Sequence, residues 1–259
     1  MRGLRARIVL AVAFALVTWA TAPAAATQSA KLNVSLAPER LGAGTTITFK
    51  FTIDVPAGQL PSPLINVNLL YPGNFGLITS GLGLATCSRT QLEAASACPP
   101  NSLMGYGTAL AVVPFGPELL SESAEITTWM GPIEQGHLSL LFLAIAHAPV
   151  QTEIIFTSLL LGAKPPFGGS LSTTVPIVET LPGAPDVAVT HLQTTLGPMH
   201  ITYYQQFHGK TTAYHPTGIR LPHTCPHGGF PFAAEFDFQD GSHTSARANV
   251  PCPSFRRHR

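Results

Sequence analysis

Hydrophobic and polar positions alternate over many short segments of this chain, as is typical of half-buried β-strands. In segment 47–53 every second residue is isoleucine or phenylalanine, and the intervening positions carry threonine or lysine. Segment 65–71 repeats the pattern, with asparagine at positions 66 and 68 between apolar residues. A period of two places one face of a strand in the core and the other in solvent. Both segments are therefore predicted as strands of antiparallel sheets.

Two further segments, 138–146 and 154–161, are apolar at nearly every position. Neither is long enough for a membrane-spanning helix, so both are predicted as central strands covered on both faces. Other strands are predicted near 32–36, 103–113, 123–130, 171–178, 187–196 and 200–207. Short strands separated by turn residues at this spacing indicate an all-β protein. We predict an immunoglobulin-like antiparallel β-sandwich, either one large domain or two small ones divided near residues 131–137.

The end of the chain has the pattern of a β-hairpin. Phenylalanine or alanine occupies every second position from 230 to 238, and Asp240-Gly241 follows as a turn. A two-residue loop would mix apolar and polar residues on one face, whereas a three-residue loop over 239–241 separates them. This register pairs Phe230 with Val250, Phe232 with Ala248, Ala234 with Ala246 and Phe236 with Thr244, and leaves Glu235, Asp237 and His243 outward.

The N-terminus has the features of a secretory signal peptide, which we place at residues 1–26. Three arginines precede an apolar run over 8–20, and Ala24–Ala26 supply the small residues at which a signal peptidase cleaves. We therefore expect a secreted or cell-envelope-associated protein with no stable membrane span after cleavage. Its all-β region would cover residues 27–253, followed by a basic tail at 254–259.

Four cysteines in an exported chain imply two disulfide bonds, which can connect in three ways. The local pairing, Cys87 with Cys98 and Cys225 with Cys252, is favoured because each bond then closes a short loop around its own unit. One short helix is predicted inside the first loop. Segment 90–93 has the spacing of a capping box with Thr90 as the N-cap, and the helix would continue over 94–97 until Cys98-Pro99-Pro100 stops it.

The charge of the chain argues against nucleic acid as a partner. Cleavage of the signal removes three of the 14 basic residues and leaves 11 against 13 acidic ones, a net charge near −2. Proteins that bind nucleic acid or anionic membranes rely on an excess of positive charge. Only 10% of residues are charged, against roughly 25% in an average globular protein, so uncharged polar side chains must cover the surface.

No residue is predicted to be catalytic, to bind a cofactor or to bind a metal, and no cofactor is expected. His223 and His227 flank Cys225 at a spacing seen in zinc sites, but the cysteine is expected to be consumed in a disulfide. Serine-nucleophile motifs are absent from the sequence. The acids considered for glycoside hydrolysis are Glu118, Glu122, Glu125, Glu134 and Glu153. The aromatic residues considered for stacking on a carbohydrate are Trp129, Tyr203, Tyr204 and Phe207.

Three blocks of the sequence, 84–109, 169–176 with 195–197, and 225–252, together resemble a widespread group of secreted β-sandwich proteins of actinobacteria. The resemblance rests on a pattern of cysteines, glycines and turns that covers most of the mature chain. It implies export, two local disulfides and an immunoglobulin-like β architecture. That group has no assigned activity, so the resemblance carries over no catalytic residue.

Our hypothesis from the sequence is an exported structural, adhesive or binding module without enzymatic activity. Its partner is unknown, with cell-wall glycan and another envelope protein as candidates. The alternative is a secreted hydrolase, with carbohydrate as the favoured substrate class, whose carboxylates the sequence does not identify. An enzyme would need acids or histidines converging in a cleft, which distinguishes the two hypotheses.

Overall fold

The computed structural model describes residues 28–56, 59–77, 85–94, 98–116, 118–148, 151–180 and 183–253. Within these ranges the chain is almost entirely antiparallel β-structure, which confirms the predicted all-β class. Its strands are β1 (Ser29–Ala37), β2 (Gly44–Asp54), β3 (Leu64–Pro72), β4 (Gly76–Leu77), β5 (Leu103–Phe115), β6 (Glu118–Met130), β7 (Ser139–Ala146), β8 (Thr152–Gly162), β9 (Phe167–Thr174), β10 (Ala188–Leu196), β11 (Tyr203–Phe207), β12 (Lys210–Tyr214), β13 (Ile219–Arg220), β14 (Phe230–Phe238) and β15 (His243–Val250). The predicted signal peptide and basic tail lie outside the described residues.

The strands form one long path of neighbours, in the order β15-β14-β3-β9-β8-β7-β6-β5-β10-β2. β1 pairs with the other side of β2, and β13 joins β2 to the short β4. The sheet curls so far that β1 lies alongside β15 at the opposite end of the path. The result is a barrel-like sheet with a shared interior. Hairpin β11–β12 pairs only with itself among the described strands.

The immunoglobulin-like arrangement is not confirmed, because the main strands of the described chain follow one continuous path. Residues 131–137, where a division into two sandwiches was considered, connect β6 to β7, and these two strands pair in a single ladder from Ala124–Ala146 to Met130–Leu140. Residues from both sides of this connection also pack in one hydrophobic core, including Phe49 of β2 and Phe142 of β7. Within the described part of the chain, no helix is long and apolar enough to cross a membrane.

β7 shows why a strand can be apolar on both faces. Leu140 and Phe142 point into the shared core. Leu141 points outward and is still only 1% exposed, because Cys87 and Leu92 of the first disulfide loop cover it. Cys87 and Leu92 therefore cover part of the outer face of the sheet.

The short helix in that loop is confirmed, but its predicted N-cap is wrong. Helix α1 spans Arg89–Glu93 and begins two residues earlier than expected, with Ser88 as the N-cap in place of Thr90. The Ser88 hydroxyl accepts from the backbone N–H of Gln91 at 3.3 Å, and the Gln91 side chain accepts from the Ser88 N–H at 2.8 Å. The Cys87 N–H donates to the carbonyl of Met130 at the end of β6. Cys87 is therefore held against the sheet, and the helix begins with the next residue, Ser88, as its N-cap. Residues 95–97 lie outside the described part.

The terminal hairpin has the predicted register. All four predicted inward pairs are present, and Glu235 and Asp237 pair with Ser245 and His243 on the outer face. The Phe238 N–H donates to the Ser242 carbonyl at 3.0 Å, so the loop holds three residues, and Gly241 adopts a left-handed φ of 81°. The phenylalanine row packs edge-to-face on the opposite wall, for example Phe236 on Phe51 with ring centres 5.0 Å apart.

Both local disulfides are confirmed. Cys87–Cys98 and Cys225–Cys252 have Cα separations of 5.1 and 5.8 Å, within the usual range for this bond. The chain returns from Cys225 to the hairpin through Gly228 and Gly229, with φ of 86° and 97°. At Gly229 an added Cβ would lie 2.5 Å from the Val250 carbonyl oxygen, so only glycine is accommodated.

Three short strands, β4, β12 and β13, were not predicted. Two of them have only two residues, which is too short for a periodic pattern to be visible. β9 begins earlier than the predicted 171–178 and ends at Thr174, because Pro176 lacks the N–H that would continue the ladder. Val175 still donates its N–H to the Ile65 carbonyl at 2.9 Å, and the chain leaves the ladder after this residue.

Candidate functional site

A cavity of about 370 Å³ occupies the interior of the sheet toward one end. Its walls come from the end of β5, the start of β6, the end of β7 and the start of β8. Because these strands are joined as antiparallel hairpins, those termini all lie at the same end of the molecule. Residues 175, 176, 178–180 and 187, from the connection between β9 and β10, complete the lining at that end.

Small side chains create this space. Ala109, Ala124 and Ala146 are direct neighbours across β5, β6 and β7, and all three line the cavity. Ala111 and Ala144 lie next to them on the same inner face. Protein interiors are normally close-packed, so a group of alanines at inward positions leaves a volume that larger residues would fill.

Aromatic residues form part of the cavity wall. The rings of Phe142 and Phe156, on adjacent strands, stack with centres 5.1 Å apart, and Phe51 lies on the opposing wall. Leu171 lines this cavity and also a smaller apolar one of about 60 Å³ deeper in the molecule. The interior is therefore well packed around the terminal hairpin and open where the alanines cluster.

The polar residues of the lining are few. They are Glu122, Thr152, Thr173, Glu179, Thr180 and Thr194. Thr173 shares a hydrogen bond of 2.5 Å with Ser158. The Thr194 hydroxyl, by contrast, has no hydrogen-bond partner among the residues that the structure describes, although Thr194 is only 3% exposed. Glu122 is 5% exposed and extends from the inner face of β6.

The cavity reaches the surface beside an apolar hairpin tip. Phe115 lines the cavity and is 54% exposed, and Leu119 across the same β5–β6 hairpin is 53% exposed. Glu179, also exposed, lines the cavity from the segment that follows β9. This segment is held by a bond from the Val187 N–H to the Val178 carbonyl at 2.9 Å. Phe115 and Glu179 are thus the exposed residues that line the cavity where it reaches the surface.

The five acids considered from the sequence do not gather in one place. Glu122 faces the cavity, whereas Glu125 and Glu153 lie on the outer face, exposed, on either side of Ile145. Glu118 is exposed at the start of β6, and Glu134 lies in the connection between β6 and β7. Glu125 and Glu153 are thus near each other on neighbouring strands, but both face solvent on the outer surface of the sheet.

The histidines that flank Cys225, and three others that precede them in the chain, are also dispersed. His200, His208, His215, His223 and His227 are all exposed. The His215 ring nitrogen makes a local contact of 3.2 Å with the Ile201 carbonyl. Over the described ranges, no three histidine, cysteine or acidic side chains converge as a metal site would require.

The four aromatic residues considered as a stacking platform have different environments. Tyr203 is fully buried and donates to the Leu103 carbonyl at 2.6 Å, and this burial raises the pKa of its hydroxyl. Trp129 packs with the small cluster around the first disulfide and donates to the Thr127 hydroxyl. Tyr204 and Phe207 are exposed on the β11–β12 hairpin. The structure does not bring the four together.

Sequence reasoning missed the cavity, although a signal for it was present. Segments 109–113 and 144–146 alternate alanine with larger residues at positions that the strand pattern places inward. Alanine is too small to fill the middle of a wide sheet, so its recurrence at inward positions on neighbouring strands indicates internal space. Recognising it required knowing that β5, β6 and β7 are neighbours.

Comparisons with known proteins provide no further assignment. No protein-family model matches the chain, and no curated protein or solved structure matches it either.

Proposed function

We propose that this chain is an exported, non-catalytic binding protein that holds an elongated apolar molecule inside its curved sheet. The observation that supports this proposal is the cavity of about 370 Å³ with its apolar lining. Small-molecule sites are concave, mostly apolar and carry a few polar groups, with volumes of roughly 300–1,000 Å³. Among the structural, adhesive and binding roles considered for this protein, we favour binding because the cavity offers a site for a ligand.

The energetics of the interior favour an apolar occupant. Apolar walls offer water few hydrogen bonds, and an empty cavity forfeits the dispersion contacts that a packed interior makes. A hydrocarbon chain entering past Phe115 would restore those contacts against Phe142 and Ile126, which line the cavity. Burial of its surface would supply the binding free energy.

Two disulfides support an oxidising compartment, and export through the segment 1–26 belongs to the same proposal. Outside the cell, an apolar molecule of this size needs a carrier because water solvates it poorly. The hydrolase alternative has less support, since Glu125 and Glu153 are exposed on the outer face of the sheet.

A fluorescence titration tests this function. N-phenyl-1-naphthylamine is uncharged and gains fluorescence in apolar surroundings, so the purified mature protein should bind it with saturation. Ala124→Phe places a ring in the middle of the cavity lining and is expected to weaken binding by about tenfold or more.

Ala213→Phe is the matched control, because Ala213 is exposed on β12 and does not line the cavity. Circular dichroism and thermal unfolding establish that both variants fold, and Ala146→Phe replaces Ala124→Phe if the latter does not. Failure of the wild type to bind the probe, or equal binding by a folded cavity variant, overturns the proposal.

A further inference from the structure

A small cavity continues the proposed ligand site along the strands. On β2, Phe51 lines the large cavity of about 370 Å³, and Phe49, the next inward residue, lines the small cavity of about 60 Å³. Phe142 and Leu140 show the same change on β7. Successive inward residues of a strand are only about 7 Å apart. The small cavity therefore lies directly beyond the large one, on the side away from the surface opening.

A single leucine forms the boundary between the two cavities on β9. Among the described residues that line them, Leu171 is the one that both cavities share. It pairs with Leu69 of β3 on one side and with Leu160 of β8 on the other. Leu69 lines the large cavity and Leu160 lines the small one. The buried Leu171 side chain thus has one space on each side of it.

The walls of the small cavity suit the end of a hydrocarbon chain. Its described lining consists mostly of aliphatic and aromatic side chains and includes Met104 and Met130. Methionine side chains are unbranched and flexible, so they adapt readily to an entering group. Apolar walls offer water few hydrogen bonds, whereas a methyl or methylene group would gain the dispersion contacts that an empty space lacks. The small cavity can therefore extend the ligand site once Leu171 no longer separates it.

From this arrangement we infer that Leu171 sets the length of the linear apolar chain that the protein binds. A chain that enters beside Phe115 fills the large cavity and ends against the Leu171 side chain. A longer chain leaves its remaining carbon atoms at the opening, where water surrounds them and they add nothing to the binding free energy. The inference rests on the proposed function and adds the feature by which the site selects among apolar ligands, which is chain length.

A series of linear alcohols measures this limit. 1-Octanol, 1-decanol, 1-dodecanol and 1-tetradecanol are each titrated, below their solubility limits, against N-phenyl-1-naphthylamine bound to the purified mature protein. Each methylene group that becomes buried strengthens binding about fourfold, so the affinity should rise with chain length until the large cavity is full. The chain length at which the affinity stops rising is the limit of the site.

Leu171→Ala joins the two cavities and should move this limit to a chain about two carbon atoms longer. The affinity for the first alcohol beyond the wild-type limit should then rise about tenfold. Circular dichroism and thermal unfolding establish whether the variant folds. If it does not, Leu171→Val removes less volume and should strengthen binding of the same alcohol about fourfold.

Leu69→Ala is the matched control. Leu69 is as buried as Leu171, at 5% exposure, and the same atoms are removed from a neighbouring residue. Among the described lining residues, Leu69 belongs to the large cavity and not to the small one. Its truncation should therefore leave the limit at the wild-type chain length, whatever it does to the affinity for each alcohol.

The outcomes separate the two proposals. If the wild type binds neither the fluorophore nor the alcohols, the proposed function fails. If the fluorophore binds but no alcohol displaces it, or if a folded Leu171 variant keeps the wild-type limit, the cavity is a binding site and the inference about Leu171 is wrong. An equal shift in Leu171→Ala and Leu69→Ala would also contradict the inference, because any enlargement of the cavity would then be sufficient.

Discussion

Thr173 and Thr194 are both buried on the inner face of the sheet, but within the described residues only the Thr173 hydroxyl has a hydrogen-bond partner. Thr173 hydrogen-bonds Ser158, whereas no partner for Thr194 lies within the described ranges. The free-energy consequence of removing each hydroxyl should therefore differ in sign. The comparison is clean because β-branched valine replaces threonine with nearly the same shape.

We predict that Thr194→Val increases the free energy of unfolding of the ligand-free protein by about 1–3 kcal/mol, since it removes a buried polar group that gains nothing in return. Thr173→Val should lower it by about 1–2 kcal/mol, because it leaves the Ser158 hydroxyl without its bond. Urea unfolding of both variants measures the difference. If both variants were less stable than the wild type, the Thr194 hydroxyl would have to make a favourable hydrogen bond in the folded protein.

Among the elements, the terminal hairpin was the most predictable from sequence. Its register follows from local information: five apolar inward positions over 230–238 and a glycine that suits the left-handed position of the loop. A shift of one residue would turn phenylalanines into solvent, so only one pairing is compatible with burial. The helix cap was less predictable, because Ser88 and Thr90 are both good caps and a distant contact of Cys87 decides between them.

Gly241 tests the loop of that hairpin. Gly241→Ala is expected to cost about 1–2 kcal/mol of unfolding free energy, because a side chain makes the left-handed conformation unfavourable. Nothing lies within 4 Å of a Cβ added there, so the cost comes from the backbone alone. Thermal and urea unfolding measure it.

Gly162→Ala is the matched control, since an added Cβ there also meets nothing within 4 Å and its φ is not positive. It should leave stability nearly unchanged. Equal effects of the two substitutions would mean that the loop of the hairpin does not require the left-handed residue.

For the whole molecule, the sequence predicted the long strands but not how they close around a space. The pairing of β14 with β3 and of β10 with β2 joins segments far apart in the chain, and no local pattern encodes it. The cavity depends on these pairings, because Ala109, Ala124 and Ala146 are unremarkable until three strands bring them together. Glu122 was therefore one acid among several in the sequence.

The packing of the interior differs between its two halves, and we expect substitutions to reveal this. Ala144→Leu, in the cavity wall, should raise the free energy of unfolding of the ligand-free protein by about 1–2 kcal/mol by filling space. Ala234→Leu, at a fully buried position on β14, should lower it by about 1–3 kcal/mol through overpacking. Urea unfolding distinguishes them, and destabilisation by both would argue that the cavity is already filled.

The approach of β1 to β15 has a consequence for how the molecule behaves beside its own copies. A strand at the margin of an open sheet carries unpaired N–H and C=O groups, which can template growth of the sheet into another chain and so initiate aggregation. Here β1, which pairs with β2 at one end of the path, lies alongside β15 at the other end, so each covers part of the other's margin. The curl of the sheet thus reduces the unpaired margin that could recruit another copy, without requiring strongly charged strands.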